Sequence, residues 1–151
     1  MKHFEEQYGL TNYILVPYGS RVYGTNTDKS DYDYICIAQG LMTGEEYRHG
    51  DVNIHLYNPI DFQTQLHDHK IHTLEAYYHP DNQCKKFDFT LDVSKLRHEL
   101  AQKASHSFVK AKKKIEVEKD FYIGWKSLFH SLRILTFGRT IATTNSINFS
   151  E

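Results

Sequence analysis

The sequence predicts a mixed α/β fold of the α+β class, with a small mixed or antiparallel sheet flanked by helices and a C-terminal helical layer. Apolar, β-branched or aromatic runs bounded by turn residues indicate three strands, at residues 13–19, 31–38 and 46–57. Two longer segments, one highly charged and one with apolar residues at helical spacing, indicate helices at 94–118 and 121–141.

The length and composition suit one folded domain. The chain has 151 residues, of which 40% are hydrophobic and 25% are charged, an ordinary balance for a globular protein. We expect a single domain over 1–151, made of an α/β core at 1–93 and C-terminal helices at 94–151. The sequence contains no internal repeat that would indicate a solenoid or an array.

Cysteine content and hydropathy favour a cytoplasmic protein that does not bind membranes. The two cysteines, Cys36 and Cys84, are too few for a disulfide framework. The first nine residues lack the apolar core of a signal peptide. No apolar run approaches the length of about 18 residues that a membrane-spanning helix needs.

The remaining elements are predicted from caps and alternation. Residues 3–11 indicate a short leading helix, and Ser20 is placed to cap a helical turn after the first strand. The third strand alternates apolar and polar residues, and we expect it to run antiparallel to the second. Asn58 followed by Pro59 predicts the start of a helix over 59–78.

Charge is distributed unevenly along the chain. Residues 1–94 contain 7 basic and 14 acidic side chains, a balance of -7, whereas residues 95–126 contain 9 basic and 4 acidic side chains, a balance of +5. A basic segment beside an acidic metal site suits a polyanionic substrate. The alternative for the KAKKK run at 110–114 is a solvated, lysine-rich helix face.

The most specific motif is YGSRVYGTNTDKSDYD at 18–33. Gly19 allows the backbone to approach a phosphate closely, and Ser20 adds a hydroxyl donor. Asp31 and Asp33 alternate with a tyrosine, so both carboxylates point to one side of the second strand. Carboxylate oxygens are the ligands that Mg²⁺ prefers, and the segment therefore predicts a site for phosphate and metal together.

Two common phosphate-binding motifs are excluded at this segment. The glycines are not followed by the lysine and serine or threonine of a P-loop, and the G-x-G-x-x-G spacing of dinucleotide-binding folds is absent. Arg21 is a candidate phosphate contact, with a solvent-facing arginine as the alternative. The alternative for the whole SDYD run is a polar turn that leads into a strand.

These residues carry a family resemblance. GSRVYG followed by SDYDYICI resembles the DNA polymerase beta-like nucleotidyltransferase superfamily, and the form GSR-x-YG...SDYD resembles its group of predicted bacterial and phage nucleotidyltransferases. In that superfamily the serine and neighbouring amides hold the phosphates of a nucleoside triphosphate such as ATP. The resemblance implies two Mg²⁺ ions held by Asp31, Asp33 and a third carboxylate on the next strand.

The activity implied by the resemblance is transfer of a nucleoside monophosphate to a hydroxyl or phosphate acceptor, with release of pyrophosphate. The acceptor can be RNA, a protein or a small molecule. The similarity extends more weakly to DVNIHLYNPIDFQTQLHDHKIHTLEAYY and to WKSLFHSLRILTFGRTIATTNSINF, where Asp51, Glu75, Lys126, His130 and Arg133 fall in register.

The third carboxylate is the open point of this resemblance. Asp51 is the only acidic residue on the polar side of the third strand, and we expect it to join Asp31 and Asp33 as a catalytic metal ligand. Asn53 lies nearer the position where a central carboxylate is expected. If Asn53 occupies that position, the site is weakened or inactive, because an amide is a poor substitute for a charged ligand.

The last predicted helix presents two candidate faces. Lys126, His130 and Arg133 fall at i, i+4 and i+7, so they can form a cationic face, with Lys126 and Arg133 binding phosphate. The alternative is that these residues only border the core. An apolar packing stripe is expected at Phe121, Trp125, Leu128, Leu132 and Leu135.

The histidines of LHDHKIH do not predict a metal site. His67, His69 and His72 are separated by two and three residues, so a helix does not align all three, and we expect a solvated helix face. Glu75 is a candidate for supporting the site from the same helix, with an ordinary surface glutamate as the alternative.

The sequence therefore predicts a metal-dependent nucleotidyltransferase. The alternative is a catalytically silent relative that binds nucleotide, nucleic acid or a partner protein, in the manner of an antitoxin. The departure at Asn53 and the basic helix at 95–126 are the features that support this alternative.

Overall fold

The computed structural model describes residues 1–149 and confirms the α+β class. A four-stranded mixed sheet is accompanied by five α-helices and one short 3₁₀ helix. In chain order the elements are α1 (Lys2–Tyr8), β1 (Ile14–Tyr18), β2 (Tyr32–Ile37), β3 (Glu46–His49), β4 (Val52–Tyr57), α2 (Pro59–His67), α3 (Ile71–Tyr77), the 3₁₀ helix (Gln83–Lys86), α4 (Val93–Glu116) and α5 (Phe121–Thr144).

The chain divides into two compact units. The first contains residues 1–90 and Phe149, and the second contains residues 91–148. The division lies three residues before the predicted end of the α/β core, and the single domain stays a prediction. In the part of the chain that the structure describes, no helix combines the length and the hydropathy needed to cross a bilayer.

The sheet has the strand order β1-β2-β4-β3. β1 pairs antiparallel with β2, β2 pairs parallel with β4, and β3 pairs antiparallel with β4. The prediction of one strand at 46–57, antiparallel to the second, is therefore wrong. Gly50, with φ of 60°, and Asp51 form a two-residue turn that reverses the chain within this segment, so its second half runs parallel to β2.

One face of the sheet forms the core of the first unit. Phe4 of α1 is fully buried and packs against Cys36, Ile54 and Leu56, which point to the same side of β2 and β4. The ring of Phe4 lies 5.0 Å from that of Tyr47 on β3. This packing leaves the opposite face of β2 and β4, which carries Asp33, to form the polar site.

The helix predicted over 59–78 is divided into α2 and α3. Asn58 caps α2, since its Oδ1 accepts a hydrogen bond from the amide of Asp61 at 2.9 Å. His69 lies between the helices in the left-handed conformation, with φ of 60°. The predicted solvated face is wrong for His69, which is 1% exposed, because this bend turns its ring against Phe89.

The second unit is a pair of long helices that contact each other through small residues. Asp92 caps α4 and Asp120 caps α5. Ser131 of α5 donates a hydrogen bond to the Ala104 carbonyl at 2.8 Å, and Gly138 lies directly against Leu100. These small side chains let the two backbones approach closely.

The predicted packing stripe of α5 is wrong. Phe121, Trp125, Leu132 and Leu135 are 48–60% exposed, and Leu128 is only partly buried. The buried face of α5 lies on the other side of the helix and consists of Gly124, Ser127, Ser131, Ile134, Phe137, Gly138 and Ile141. Both faces have helical spacing, and the one with small residues permits the closer contact with α4.

Replacing Gly138 with alanine should destabilise the protein. Alanine is the better helix former by about 1 kcal/mol, but its Cβ would overlap the Leu100 side chain, and overpacking costs about 1–3 kcal/mol. Urea unfolding should therefore give a lower free energy of unfolding for Gly138→Ala than for the wild type.

Two further variants serve as controls for this overlap. Ala142→Gly, at an exposed position of the same helix, reports the helix propensity without the clash. Adding Leu100→Ala to Gly138→Ala should recover part of the lost stability. A Gly138→Ala protein more stable than the wild type would refute the close contact.

Candidate functional site

A tight turn follows β1 directly. Gly19 has φ of 81°, in the left-handed region that favours glycine. Its carbonyl accepts hydrogen bonds from the amides of Val22 at 3.1 Å and Tyr23 at 3.3 Å, and the Ser20 carbonyl accepts from Thr25 at 2.9 Å. Gly19, one residue before the predicted cap, therefore starts the turn, and Ser20 is the first residue inside it.

The turn lies against a carboxylate of the neighbouring strand. Tyr18 pairs with Asp33 in the antiparallel ladder between β1 and β2. A Cβ on Gly19 would lie 2.6 Å from Oδ2 of Asp33, closer than any side chain can approach. Glycine is therefore needed for two reasons, its backbone conformation and the space that the Asp33 carboxylate occupies.

Arg21 fastens the loop that leads into β2. Its Nη2 donates to the Ser30 carbonyl at 2.6 Å, and its Nε donates to the Asp31 carbonyl at 3.3 Å. The guanidinium also stacks on Tyr32, with Cζ 3.8 Å from the ring centroid. Arg21 thus positions the exposed Asp31, and its predicted contact with phosphate stays a prediction.

Asn53, rather than Asp51, lies beside Asp33. The two residues are paired in the parallel ladder of β2 and β4, and Nδ2 of Asn53 donates to Oδ1 of Asp33 at 3.2 Å. Oδ1 of Asn53 is buried and accepts no hydrogen bond from residues 1–149. A buried oxygen without a donor is uncommon, and it lies next to the carboxylate that the sequence assigns to metal.

Asp51 lies in the turn that precedes β4. Its side chain is exposed, and its carbonyl accepts a hydrogen bond from the Tyr32 amide at 2.7 Å. This bond extends the ladder between β2 and β4, and continuing the register by one residue places Asp51 opposite Asp31. Its role as the third metal ligand stays a prediction.

A polar row that the sequence did not predict crosses the same face of the sheet. Tyr18, Asp33, Asn53 and Arg48 are paired in register across the four strands. Burial, followed by the charge of Asp33, raises the pKa of Tyr18 above its ordinary value, so this phenol stays protonated. Recognition of the hairpin at residues 50–51 would have placed Arg48 in this row.

Glu46 joins two neighbouring side chains of this surface. Its Oε2 accepts from Nη2 of Arg48 at 2.7 Å, and its Oε1 lies 3.1 Å from Nδ1 of His55. The hydrogen bond from Arg48, assisted by the charge on His55, lowers the pKa of Glu46. The ring of His55 in turn packs edge-on against Tyr18 at 5.5 Å.

Glu75 of α3 is buried beneath this region. Its side chain is 5% exposed, so the alternative of an ordinary surface glutamate is wrong. Its charge is one of the causes, after burial and Asp33, of the raised pKa of Tyr18. Glu75 is therefore a buried carboxylate near Tyr18, and its support of the site stays a prediction.

The basic candidates lie on α5 in the second unit. Lys126 is exposed, and Nη2 of Arg133 donates to Nδ1 of His130 at 2.9 Å. Burial, followed by the charge of Arg133, lowers the pKa of His130 to about 4, so its ring is neutral at pH 7. The predicted phosphate contacts of Lys126 and Arg133 stay predictions.

The residues available for metal binding offer oxygen ligands. Within residues 1–149, no three histidine, cysteine, aspartate or glutamate side chains are arranged to hold an ion by themselves. Asp31, Asp33 and the buried Oδ1 of Asn53 are hard oxygen donors, the kind that suits Mg²⁺ when phosphate and water complete its coordination.

No protein-family model matches this chain, and no curated protein matches it either. The resemblance to nucleotidyltransferases therefore stays an expectation from the sequence, chiefly from the GSRVYG and SDYD residues.

Replacing Arg21 with alanine should loosen the loop at residues 25–31. Arg21→Ala removes two charge-assisted hydrogen bonds to backbone carbonyls, and each such bond with good geometry stabilises a structure by about 1.5–3 kcal/mol. The loop should therefore open more often, and its amide exchange should accelerate at least about tenfold. Hydrogen exchange followed by mass spectrometry measures this change.

Arg48→Ala is the matched control for this experiment. It removes the same charge from a side chain that is 71% exposed and that contacts Glu46 rather than the loop. Equal exchange in the wild type and Arg21→Ala, or equal acceleration in both variants, would show that Arg21 does not fasten this loop.

Proposed function

We propose that this protein is a metal-dependent nucleotidyltransferase, which moves a nucleoside monophosphate from a nucleoside triphosphate to a hydroxyl or phosphate acceptor. The observation that carries the proposal is the contact between the Gly19 backbone and the Asp33 carboxylate. It brings a turn suited to phosphate within a few ångströms of a carboxylate suited to metal. Neither the turn nor the pair of aspartates would by itself indicate a site for phosphate and metal together.

The Gly19–Ser20 turn is the proposed phosphate-binding element. The first amides of a tight turn have no acceptor within that turn, so they are available to phosphate oxygens. The hydroxyl of Ser20 adds a further donor. Because Arg21 already binds two carbonyls of residues 30 and 31, its part in this proposal is to position Asp31 beside the bound triphosphate.

Asp31 and Asp33 are the proposed ligands of two Mg²⁺ ions, with Asp51 or the Oδ1 of Asn53 as the third. The fit is supported by the purely oxygen character of the set and by the buried Asn53 oxygen that lacks a donor. When bound, the ions supply positive charge to the triphosphate oxygens and the departing pyrophosphate.

In the proposed reaction an acceptor oxygen forms a bond to the α-phosphorus, and the bond to the pyrophosphate oxygen breaks. The proton of an acceptor hydroxyl is lost to the surrounding site or solvent. Lys126 and Arg133 are proposed to offset further phosphate charge. A cytoplasmic location is part of the proposal, and it is supported by two cysteines, Cys36 and Cys84, that are free and buried.

A double variant, Asp31→Asn with Asp33→Asn, should abolish transfer without unfolding the protein. Both replacements preserve side-chain shape while removing the charge that would hold Mg²⁺, so the rate should fall at least about a thousandfold. Purified protein is incubated with each nucleoside triphosphate, Mg²⁺ and pools of RNA, protein and small molecules, and pyrophosphate release and label incorporation are followed.

Asp68→Asn with Asp88→Asn is the matched control, because it removes two exposed carboxylates of the same unit that have no part in the proposed site. Its activity should equal that of the wild type. If the wild type and the Asp31/Asp33 variant behave alike with every pool, the protein is not a nucleotidyltransferase for those acceptors.

A second candidate function is supported by Asn53. Its amide occupies the position opposite Asp33 on the neighbouring parallel strand, where a third carboxylate is expected. A protein with this arrangement can bind a nucleotide without transferring it, as a silent relative would. Metal-dependent nucleotide binding without pyrophosphate release would favour this function.

Replacing Asn53 with aspartate distinguishes the two candidates for the third ligand. Without metal, the new carboxylate would face Asp33 at hydrogen-bonding distance and repel it, so Tm should fall. With Mg²⁺ the repulsion is relieved, and Tm should rise more steeply with Mg²⁺ concentration than in the wild type.

Asp51→Asn provides the comparison for that titration. If Asp51 is the third ligand, its loss should weaken the dependence of Tm on Mg²⁺, and Asn53→Asp should have little effect on it. A response to Mg²⁺ that neither substitution changes would place the third ligand elsewhere.

A further inference from the structure

The outer face of α5 exposes six large apolar side chains. They are 48–68% exposed and comprise Phe121, Tyr122, Trp125, Phe129, Leu132 and Leu135. Within this outer face, Tyr122, Trp125, Phe129 and Leu132 are spaced by three, four and three residues. That spacing is typical of a helix that packs along another helix.

The contact with α4 does not use this face. α5 packs on α4 through its opposite side, where Ser131 bonds to the Ala104 carbonyl and Gly138 meets Leu100. α5 therefore has two apolar faces, and only the one with small residues is covered. A contiguous exposed apolar patch of this size on a helix marks an interaction surface.

The area of the outer face suits a protein interface. Aromatic side chains bury about 150–250 Å² each, and four half-exposed aromatic residues with two leucines present on the order of 600 Å² in total. A standard interface buries roughly 800 Å² on each partner, so the outer face supplies most of one side.

The charged residues of α5 itself are all positive. α5 contains no aspartate or glutamate between Phe121 and Thr144. Lys126 and Arg139 are exposed beside the apolar residues, and Arg133 lies at the position one heptad after Lys126. The second unit as a whole has 11 basic and 5 acidic residues over 91–148, a balance of +6.

This charge disfavours the α5 helix of a second copy as the occupant. An antiparallel pair of α5 helices centred on Phe129 would bring Lys126 of each copy beside Arg133 of the other. Like charges across a helix interface oppose association, and no carboxylate of α5 is present to compensate. A helix with acidic flanks would instead meet positive charge along its whole length.

We propose that the outer face of α5 is a docking surface for an acidic amphipathic helix of a partner protein. The partner's apolar residues cover Trp125 and Phe129, and its carboxylates pair with Lys126, Arg133 and Arg139. The apolar residues of this surface take no part in the proposed nucleotide site, although Lys126 and Arg133 are also proposed there as phosphate contacts. Substitutions of Trp125 and Phe129 therefore test the docking surface independently of the transferase function.

The probe is a synthetic three-heptad peptide with leucine at the a and d positions and glutamate at the flanking positions. A second peptide carries lysine in place of every glutamate. Fluorescence anisotropy of the labelled peptides with the 151-residue protein should show saturable binding of the acidic peptide, at least about tenfold tighter than the basic one.

Variants locate the binding on α5. Trp125→Glu and Phe129→Glu should each weaken binding at least about tenfold, as expected for central aromatic anchors, and Lys126→Glu should weaken it several-fold. Ile60→Glu, at a 74% exposed apolar position of α2, is the matched control and should leave binding unchanged. Circular dichroism checks that every variant is folded.

Three results would overturn the proposal. The first is equal binding of both peptides, or binding that Trp125→Glu leaves unchanged. The second is self-association, measured by light scattering, that Trp125→Glu abolishes, since the occupant would then be a second copy. The third is binding of a single-stranded oligouridine that Trp125→Glu abolishes while the acidic peptide fails to bind, since the face would then hold nucleic acid.

Discussion

The close contact between Gly19 and Asp33 is the constraint on which the candidate site depends. Antiparallel pairing of β1 with β2 places Tyr18 opposite Asp33. The backbone must therefore begin its turn at Gly19, directly beside the Asp33 carboxylate. Only glycine satisfies both the φ of 81° and that space. The turn that begins here is thereby held against Asp33 at the start of β2.

The uncharged side chain of Asn53 limits the negative charge beside Asp33. Three carboxylates in mutual contact repel each other unless a cation is bound, whereas the Asn53 amide donates a hydrogen bond to Asp33. With Asn53 in this position, the site offers less negative charge to attract an ion than a third carboxylate would. The nearby ion pair of Glu46 with Arg48 also neutralises charge on this face.

Much of this site was accessible from the sequence because its signals are local. The predicted strands at 13–19 and 31–38 correspond to β1 and β2. The motif between them forms the turn and the loop that Arg21 fastens. The prediction for residues 46–57 was wrong because Gly50 and Asp51 are compatible with an alternating strand as well as with a turn. Without that hairpin, neither the direction of β4 nor the position of Arg48 beside Asn53 could be derived.

The error on α5 has a different physical origin. A periodic apolar stripe shows that a helix has a face to cover, but it does not show which neighbour covers it. On α5 the contact with α4 is made by the face that contains Gly124, Ser131 and Gly138, because small residues allow backbones to approach and gain dispersion contacts over a longer stretch. The larger side chains, such as Trp125, then remain exposed on the outer face of α5. Their exposure is thus a consequence of close helix packing, and the basic residues beside them, with no acid on the same helix, specify the charge of what can cover them.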